Sequence, residues 1–399
     1  MAKRGIWLFL IAALLLACAR TDEPSGKQVF RFNIDAGFTS MDPAFARNQA
    51  NIWVTNQLFD GLVALSDSLT PEPAIAKRWD IDSSRTTYTF HLRQDVYFHS
   101  DTLLPTQAAR KVTAEDFVYS FNRLLREETA SPGAWIFNDK LLIDTVNGKR
   151  QGSFEALNDS TLQIRLKRPF PPFLGLLTMQ YCSVVPREVV EQYGKDFRRH
   201  PVGTGPFKLF QYAKDERLIM HRYEDYYATD QQGHPLPYLD AAVIRFIPNK
   251  QNAFLAFMQG KLDLISGIDG GFKDNLLTPD GRLDPGFEGQ FQMQKLPYLN
   301  TEYLGIQMDP KAYPDSGHPL QNQYVRQAMN YAFDRKQMLL YLRNNIGKPA
   351  THGMVPPGLP SYDTSAVQGY NYDPEKARQL LRKAGYPQGK GLPTITLHT

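Results

Sequence analysis

At 399 residues, with 42 % hydrophobic and 22 % charged residues, the chain is long enough for two or three domains and has an ordinary globular composition. Its formal net charge of +4 falls to about +2 without Lys3 and Arg4. No basic run or Arg-rich stripe interrupts the chain, which excludes nucleic acid as a partner. Eight histidines without a His-x-x-x-His pair, and no Gly-x-Ser-x-Gly, give no metal set, no hydrolase elbow and no call for a cofactor.

Lys3-Arg4 precede an apolar run from Ile6 to Ala17, shorter than the roughly 20 residues a membrane span needs and suited to the core of an export signal over 1–17. The run ends Leu15-Leu16-Ala17-Cys18, which resembles a bacterial lipobox, so Cys18 is expected to be acylated and to become the mature N-terminus. Cys182 is then the single remaining cysteine, expected buried and reduced, with no disulfide in the mature chain. Residues 18–28 are polar and turn-rich, a flexible tether between membrane and body.

Val29 to Ile34 alternates as a first strand, and a loop through Phe38, Thr39 and Met41 follows it. A helix is expected from about Asn48 to Leu62. Trp79 and Ile81, then Tyr88, Phe90 and Leu92, alternate with polar residues around Asp82-Ser83-Ser84, as two half-buried strands joined by a turn. Thr113 and Asp116 have the spacing of a capping box before Phe117, Phe121, Leu124 and Leu125 at helical period. Three prolines within 169–172 break regular structure and mark a junction. Beyond it the pattern predicts a helix over 187–193, a Gly203-Thr204-Gly205 turn with positive φ, strands near 218–220 and 242–247, a helix over 252–259 and a buried strand at 262–265. Further on, 297–306 reads as a strand. Val325, Ala328, Met329 and Ala332 form one helical stripe, Met338, Leu339 and Leu342 a second, and Asp373-Pro374 opens a helix that Gly385 ends. Thr394 onward reads as the start of another strand.

The segments AIAKRWDIDSSRTTYTFHLRQDVYFHSD at 74–101, VTAEDFVYSFNRLL at 112–125, GTGPF at 203–207 and VRQAMNYAFDR at 325–335 together resemble bacterial extracellular solute-binding proteins of the oligopeptide, dipeptide and nickel type, the receptors of ATP-binding cassette importers. The resemblance runs from about Val29 to the last residue and implies a strand over 179–186. It implies an α/β fold: a two-lobed periplasmic-binding-protein-like clamshell with an extra small α+β domain. The first lobe would comprise 29–50 and 167–265, the small domain 51–166, and an incomplete second lobe 266–399, since family members continue well past this point.

The resemblance further implies a monomer that captures a short peptide between hinged lobes, docks on importer membrane subunits, and is held at the periplasmic membrane or cell surface by its lipid anchor, with no catalysis. Cleft residues implied in this way are Phe38, Thr39, Met41, Tyr181, Asn300 and Tyr303. The acidic residue that pairs with a ligand ammonium in relatives falls beyond Thr399. The competing readings are a non-peptide solute such as a nickel chelate or oligosaccharide, a secreted hydrolase on the same scaffold, and a surface adhesin.

Overall fold

The computed structural model describes residues 28–35, 37–104, 110–267, 271–296, 298–309, 311 and 318–397. The N-terminal apolar run and Cys18 lie outside the described residues. No described helix is long and apolar enough to cross a membrane. The chain divides into two compact units, one ending at Ser266 and the other starting at Gly267.

In the first unit, β1 (Val29–Asn33) leads through the 34–48 loop to α1 (Gln49–Leu58), capped by the Asn48 side chain at 2.9 Å from the Asn51 N–H. A short hairpin, β2 (Val63–Leu65) and β3 (Pro71–Pro73), precedes β4 (Ala76–Ile81) and β5 (Thr87–Leu92). The alternation in β5 is realised: Tyr88, Phe90 and Leu92 are buried. In β4 it is realised only in part, because Ile81 lies at the solvent end of its strand and is 43 % exposed. Helix α2 (Ala114–Leu125) begins where the Asp116 carboxylate reaches back to the Thr113 N–H at 2.8 Å, and it buries Phe117, Phe121, Leu124 and Leu125.

After α3 (Trp135–Asn138) come β6 (Ile143–Val146), β7 (Lys149–Gly152), β8 (Phe154–Asn158) and β9 (Thr161–Arg165). Strands β4-β5-β9-β8 form one antiparallel sheet. Then α4 (Phe173–Leu177) and α5 (Arg187–Tyr193) lead to β10 (Phe207–Ala213), β11 (Arg217–Arg222), β12 (Ala241–Arg245) and α6 (Lys250–Met258). The second sheet has the order β1-β12-β11-β10, with β1 and β12 parallel. Phe90, Phe121 and Leu162 beside one sheet and Leu218, Met220 and Ile244 in the other belong to one continuous apolar core.

Several sequence expectations fail here for local reasons. α1 stops at Leu58 because Phe59 turns extended and the Leu58 carbonyl is taken by the Gly205 N–H at 3.0 Å. Gly203 and Gly205 do not use positive φ. Instead a Cβ at Gly203 would stand 2.0 Å from the Leu58 carbonyl oxygen, so glycine is required by close backbone approach. The expected strand over 179–186 is a 3-10 turn at Gln180–Cys182, its neighbour Val184 donating to the Asp60 carbonyl at 3.0 Å. Segment 262–265 makes a single bridge, Leu264 beside Phe32, and Leu264 is 48 % exposed.

The second unit contains α7 (Lys273–Leu276), α8 (Gln323–Ala332), α9 (Arg335–Arg343) and α10 (Pro374–Lys383). Asp334 and Asp373 cap α9 and α10 as their spacing predicts. α8 packs on α10 through Ala328, Ala377 and Leu380, while Met329 and Leu342 remain exposed. No strand forms among this unit's described residues, so 298–306 and 394–397 are irregular. An alternating pattern becomes a strand only when a neighbour takes its N–H and C=O groups, and none is offered among the described residues.

Two joints fix the first unit. The first is ionic. Arg123 of α2 meets Asp42 through two parallel hydrogen bonds, Nη1 to Oδ1 at 2.8 Å and Nη2 to Oδ2 at 2.5 Å, both side chains being almost fully buried. The second encloses the 203–205 turn between two buried titrating groups. His99 Nε2 lies 2.9 Å from the Gly205 carbonyl, and its Nδ1 accepts from the Gly203 N–H at 3.4 Å. On the other side the Asp60 N–H donates to Thr204 Oγ1 at 3.1 Å, and Asp60 Oδ2 is sealed from water without a hydrogen-bond partner.

Removing one partner of a buried ion pair leaves a charge stranded in low dielectric. Arg123→Met is therefore expected to cost about 3–5 kcal/mol by denaturant melting, with partial recovery when Asp42→Asn is added. A loss under about 1 kcal/mol would contradict the joint's importance.

The 203–205 clamp predicts an unusual pH profile. Burial pushes the Asp60 carboxyl up from 3.8 to about 7, against the pull of the Thr204, Tyr226 and Tyr227 hydroxyls. The folded state thus holds a proton that the unfolded chain has released, and this stabilisation is lost as pH rises through 7. Burial lowers His99 from 6.5 to about 4, so its contribution is present above 6.5 and lost as pH falls toward 4. Between those limits the two slopes oppose. Asp60→Asn should leave the His99 slope uncovered, and melting temperature should then fall on acidification below 6.5 more steeply than in the parent. Identical profiles would refute the assignment.

Candidate ligand-binding surface

Strand β1 is parallel to β12, and β10 is antiparallel to β11, which is itself antiparallel to β12. Strands β1, β12 and β10 therefore all end at the same edge of the sheet. In open sheets this is where ligands bind, because chain leaving the carboxyl ends supplies loops around a crevice. Three aromatic rings gather there from three separate segments. Phe38, after β1, stacks on Phe246, after β12, with centroids 5.8 Å apart. Tyr212, near the end of β10, meets Phe38 edge-on at 5.7 Å and Phe246 at 6.4 Å.

The surrounding backbone is tied down. The Asn33 side chain accepts from the Ile247 N–H at 2.8 Å and donates to the Ile247 carbonyl at 3.1 Å, joining the exits of β1 and β12. Asn51 of α1 accepts from the Thr39 N–H at 3.2 Å and donates to Thr39 Oγ1 at 3.0 Å and to the Phe45 carbonyl at 3.3 Å. Asp42, held by Arg123, also caps a 3-10 turn over Pro43–Phe45 by accepting from the Ala44 N–H at 3.0 Å. The Met41 N–H donates to the Arg198 carbonyl at 3.0 Å.

Among the residues singled out from sequence, Phe38 and Thr39 share this edge. Met41 is 0 % exposed and serves the core, so its side chain offers a ligand no surface in this unit. Tyr181 is 8 % exposed and packs on Gly133, where a Cβ would stand 2.5 Å from its ring. Asn300 and Tyr303 lie in the second unit, both exposed on irregular chain. That chain is tied within its unit by Thr301 to the Met354 carbonyl at 2.8 Å and by Glu302 to Arg343 at 2.7 Å. Nothing in the sequence singles out Tyr212 and Phe246. They lie far from Phe38 in sequence, and only the strand order brings them together.

Cys182 is fully buried, and burial alone pushes its thiol far up, the opposite of a nucleophile's environment. Among the described residues no group of three or more His, Cys, Asp and Glu side chains is placed to hold a metal ion.

Comparison with known proteins agrees with this architecture. Heme-binding protein A of Haemophilus influenzae is 30 % identical over 346 residues, covering 84 % of this chain and 58 % of the relative. The dipeptide-binding protein of Escherichia coli K12 is 27 % identical over 327 residues, covering 79 % of this chain and 55 % of the relative. The chain thus spans less than two thirds of the length of these relatives. Among solved structures, the ABC transporter-associated periplasmic binding protein DppA from Helicobacter pylori, in complex with peptide STSA, is 28 % identical with a TM-score of 0.73. That match covers 90 % of this chain and 67 % of the other. The family described as bacterial extracellular solute-binding proteins, family 5, matches residues 70–399, and the chain belongs to that family.

Proposed function

We propose that the protein is the substrate-binding component of an ATP-binding cassette importer and that its solute is a short peptide. The observation that carries this reading is the pinned loop and aromatic trio at the carboxyl edge of β1, β12 and β10. A fixed stretch of backbone with a half-buried apolar wall suits an extended main chain, whose own N–H and C=O groups supply affinity while its side chains are read loosely. The peptide-bound Helicobacter relative and the Escherichia dipeptide-binding relative support the same ligand class. In this reading the protein binds without catalysis and works as a monomer. It is held at the outer face of a membrane through acylated Cys18, and a mature chain whose mass lacks the acyl groups would remove the anchor.

A second reading, a planar non-peptide solute, draws on the stacked Phe38–Phe246 pair and on the heme-binding relative. Titration calorimetry with di- to pentapeptides, hemin, a nickel chelate and an oligosaccharide separates the two. The expected result is saturable heat with the peptides, which chromatography then recovers intact. Heat with hemin alone would favour the second reading, and cleaved peptide would make the protein a hydrolase.

A further inference from the structure

Helix α1 and strand β10 each have one end at the candidate site and the other at the 203–205 turn. At the site, the first turn of α1 carries Asn51, which holds Thr39, and β10 carries Tyr212. About 15 Å away along the helix, the Leu58 carbonyl accepts from the Gly205 N–H at 3.0 Å, two residues before β10 begins. Asp60 occupies this far joint. Its N–H donates to Thr204 Oγ1 at 3.1 Å and its carbonyl accepts from the Val184 N–H at 3.0 Å. The residue reaches the surface in part, yet its Oδ2 is sealed from water and has no hydrogen-bond partner. Among the described residues no cation pairs with it. Arg93 lies over the Tyr227 ring at 4.9 Å, but its Nε and Nη2 are committed to Asp95 at 3.1 and 2.9 Å. Lys208 lies over the Tyr223 ring, and His99 Nε2 is engaged with the Gly205 carbonyl. The other titratable neighbours, Tyr226, Tyr227 and Cys182, are held neutral by burial. An oxygen so enclosed is stable on a neutral acid, whereas a carboxylate there requires water or a donor.

We propose that Asp60 is a proton-held latch: when its carboxyl ionises, water enters between the end of α1 and the 203–205 turn, and the loosened joint lowers solute affinity at the other ends of α1 and β10. The effect on affinity rests on the solute-binding reading, and the opening of the joint does not. The sign follows from the burial that pushes this carboxyl up to about 7. The closed joint is present with the acid protonated and is lost as pH rises through 7. Coupling is reciprocal, so a bound solute favours the protonated acid and its binding takes up protons above that pH.

The test is hydrogen–deuterium exchange on the solute-free protein and on Asp60→Asn at pH 6 and 8.5, corrected for intrinsic rates, with thermal melts confirming that both remain folded. Exchange in residues 57–60 and 203–207 is expected to quicken by about tenfold at pH 8.5 in the parent and to stay level in the variant, whose amide does not ionise. Calorimetry with a tripeptide should show affinity falling by about five- to tenfold over the same interval in the parent alone. Parent exchange that stays level overturns the latch without recourse to any variant, and equal quickening in Asp60→Asn overturns it too. An opened joint with unchanged affinity overturns the coupling to the site. Absence of heat at both pH values overturns the peptide reading and the affinity effect with it, while exchange still judges the joint.

Discussion

The buried pair between Asp42 and Arg123 is the constraint on which the first unit's binding surface depends. The chain leaving β1 must reach α1 across an open sheet edge, and loops in that position are mobile unless something holds them. Asp42 answers in two ways, capping the 3-10 turn with one oxygen and meeting the Arg123 fork with both. Arg123 also lies over the Phe197 ring at 5.7 Å, so the guanidinium is enclosed on its face as well as its edge. Such a pair adds little net stability compared with an apolar substitute of the same shape, but it tolerates only one arrangement of the two segments. Position, more than strength, is what it contributes. Thr39 and the Met41 backbone are located because Asp42 is.

Local signals in the sequence carried the antiparallel part of the fold well. Tyr88, Phe90 and Leu92 announce a half-buried strand, Thr113 and Asp116 announce a helix start, and Asp373-Pro374 with Gly385 brackets α10; all three stand in the structure. What failed depended on neighbours distant in sequence. Gly203 and Gly205 have the pattern of turn glycines, yet their need is to let the end of α1 pass within contact distance. Segment 298–306 has strand-like composition but lacks a partner strand among the described residues.

The candidate site divides along the same line. The family resemblance points to Phe38 and Thr39, and both lie on the loop that leaves the carboxyl end of β1. Met41 sits in the same loop, but one position decides whether a side chain faces solvent or core, and composition does not specify it. Tyr212 and Phe246 carry no motif at all. They meet Phe38 only because β1 runs parallel to β12 and β10 ends at the same edge. Family membership then accounts for why such an edge exists.

The central claim is that a solute rests on the pinned loop at the carboxyl edge of β1, β12 and β10. Hydrogen–deuterium exchange on the protein with and without a saturating tripeptide tests it most directly. The account predicts slowed exchange in residues 37–47 and 246–250, with little change in the β4-β5-β9-β8 sheet. Protection confined to the β4-β5-β9-β8 sheet, with 37–47 and 246–250 unaltered, would contradict it.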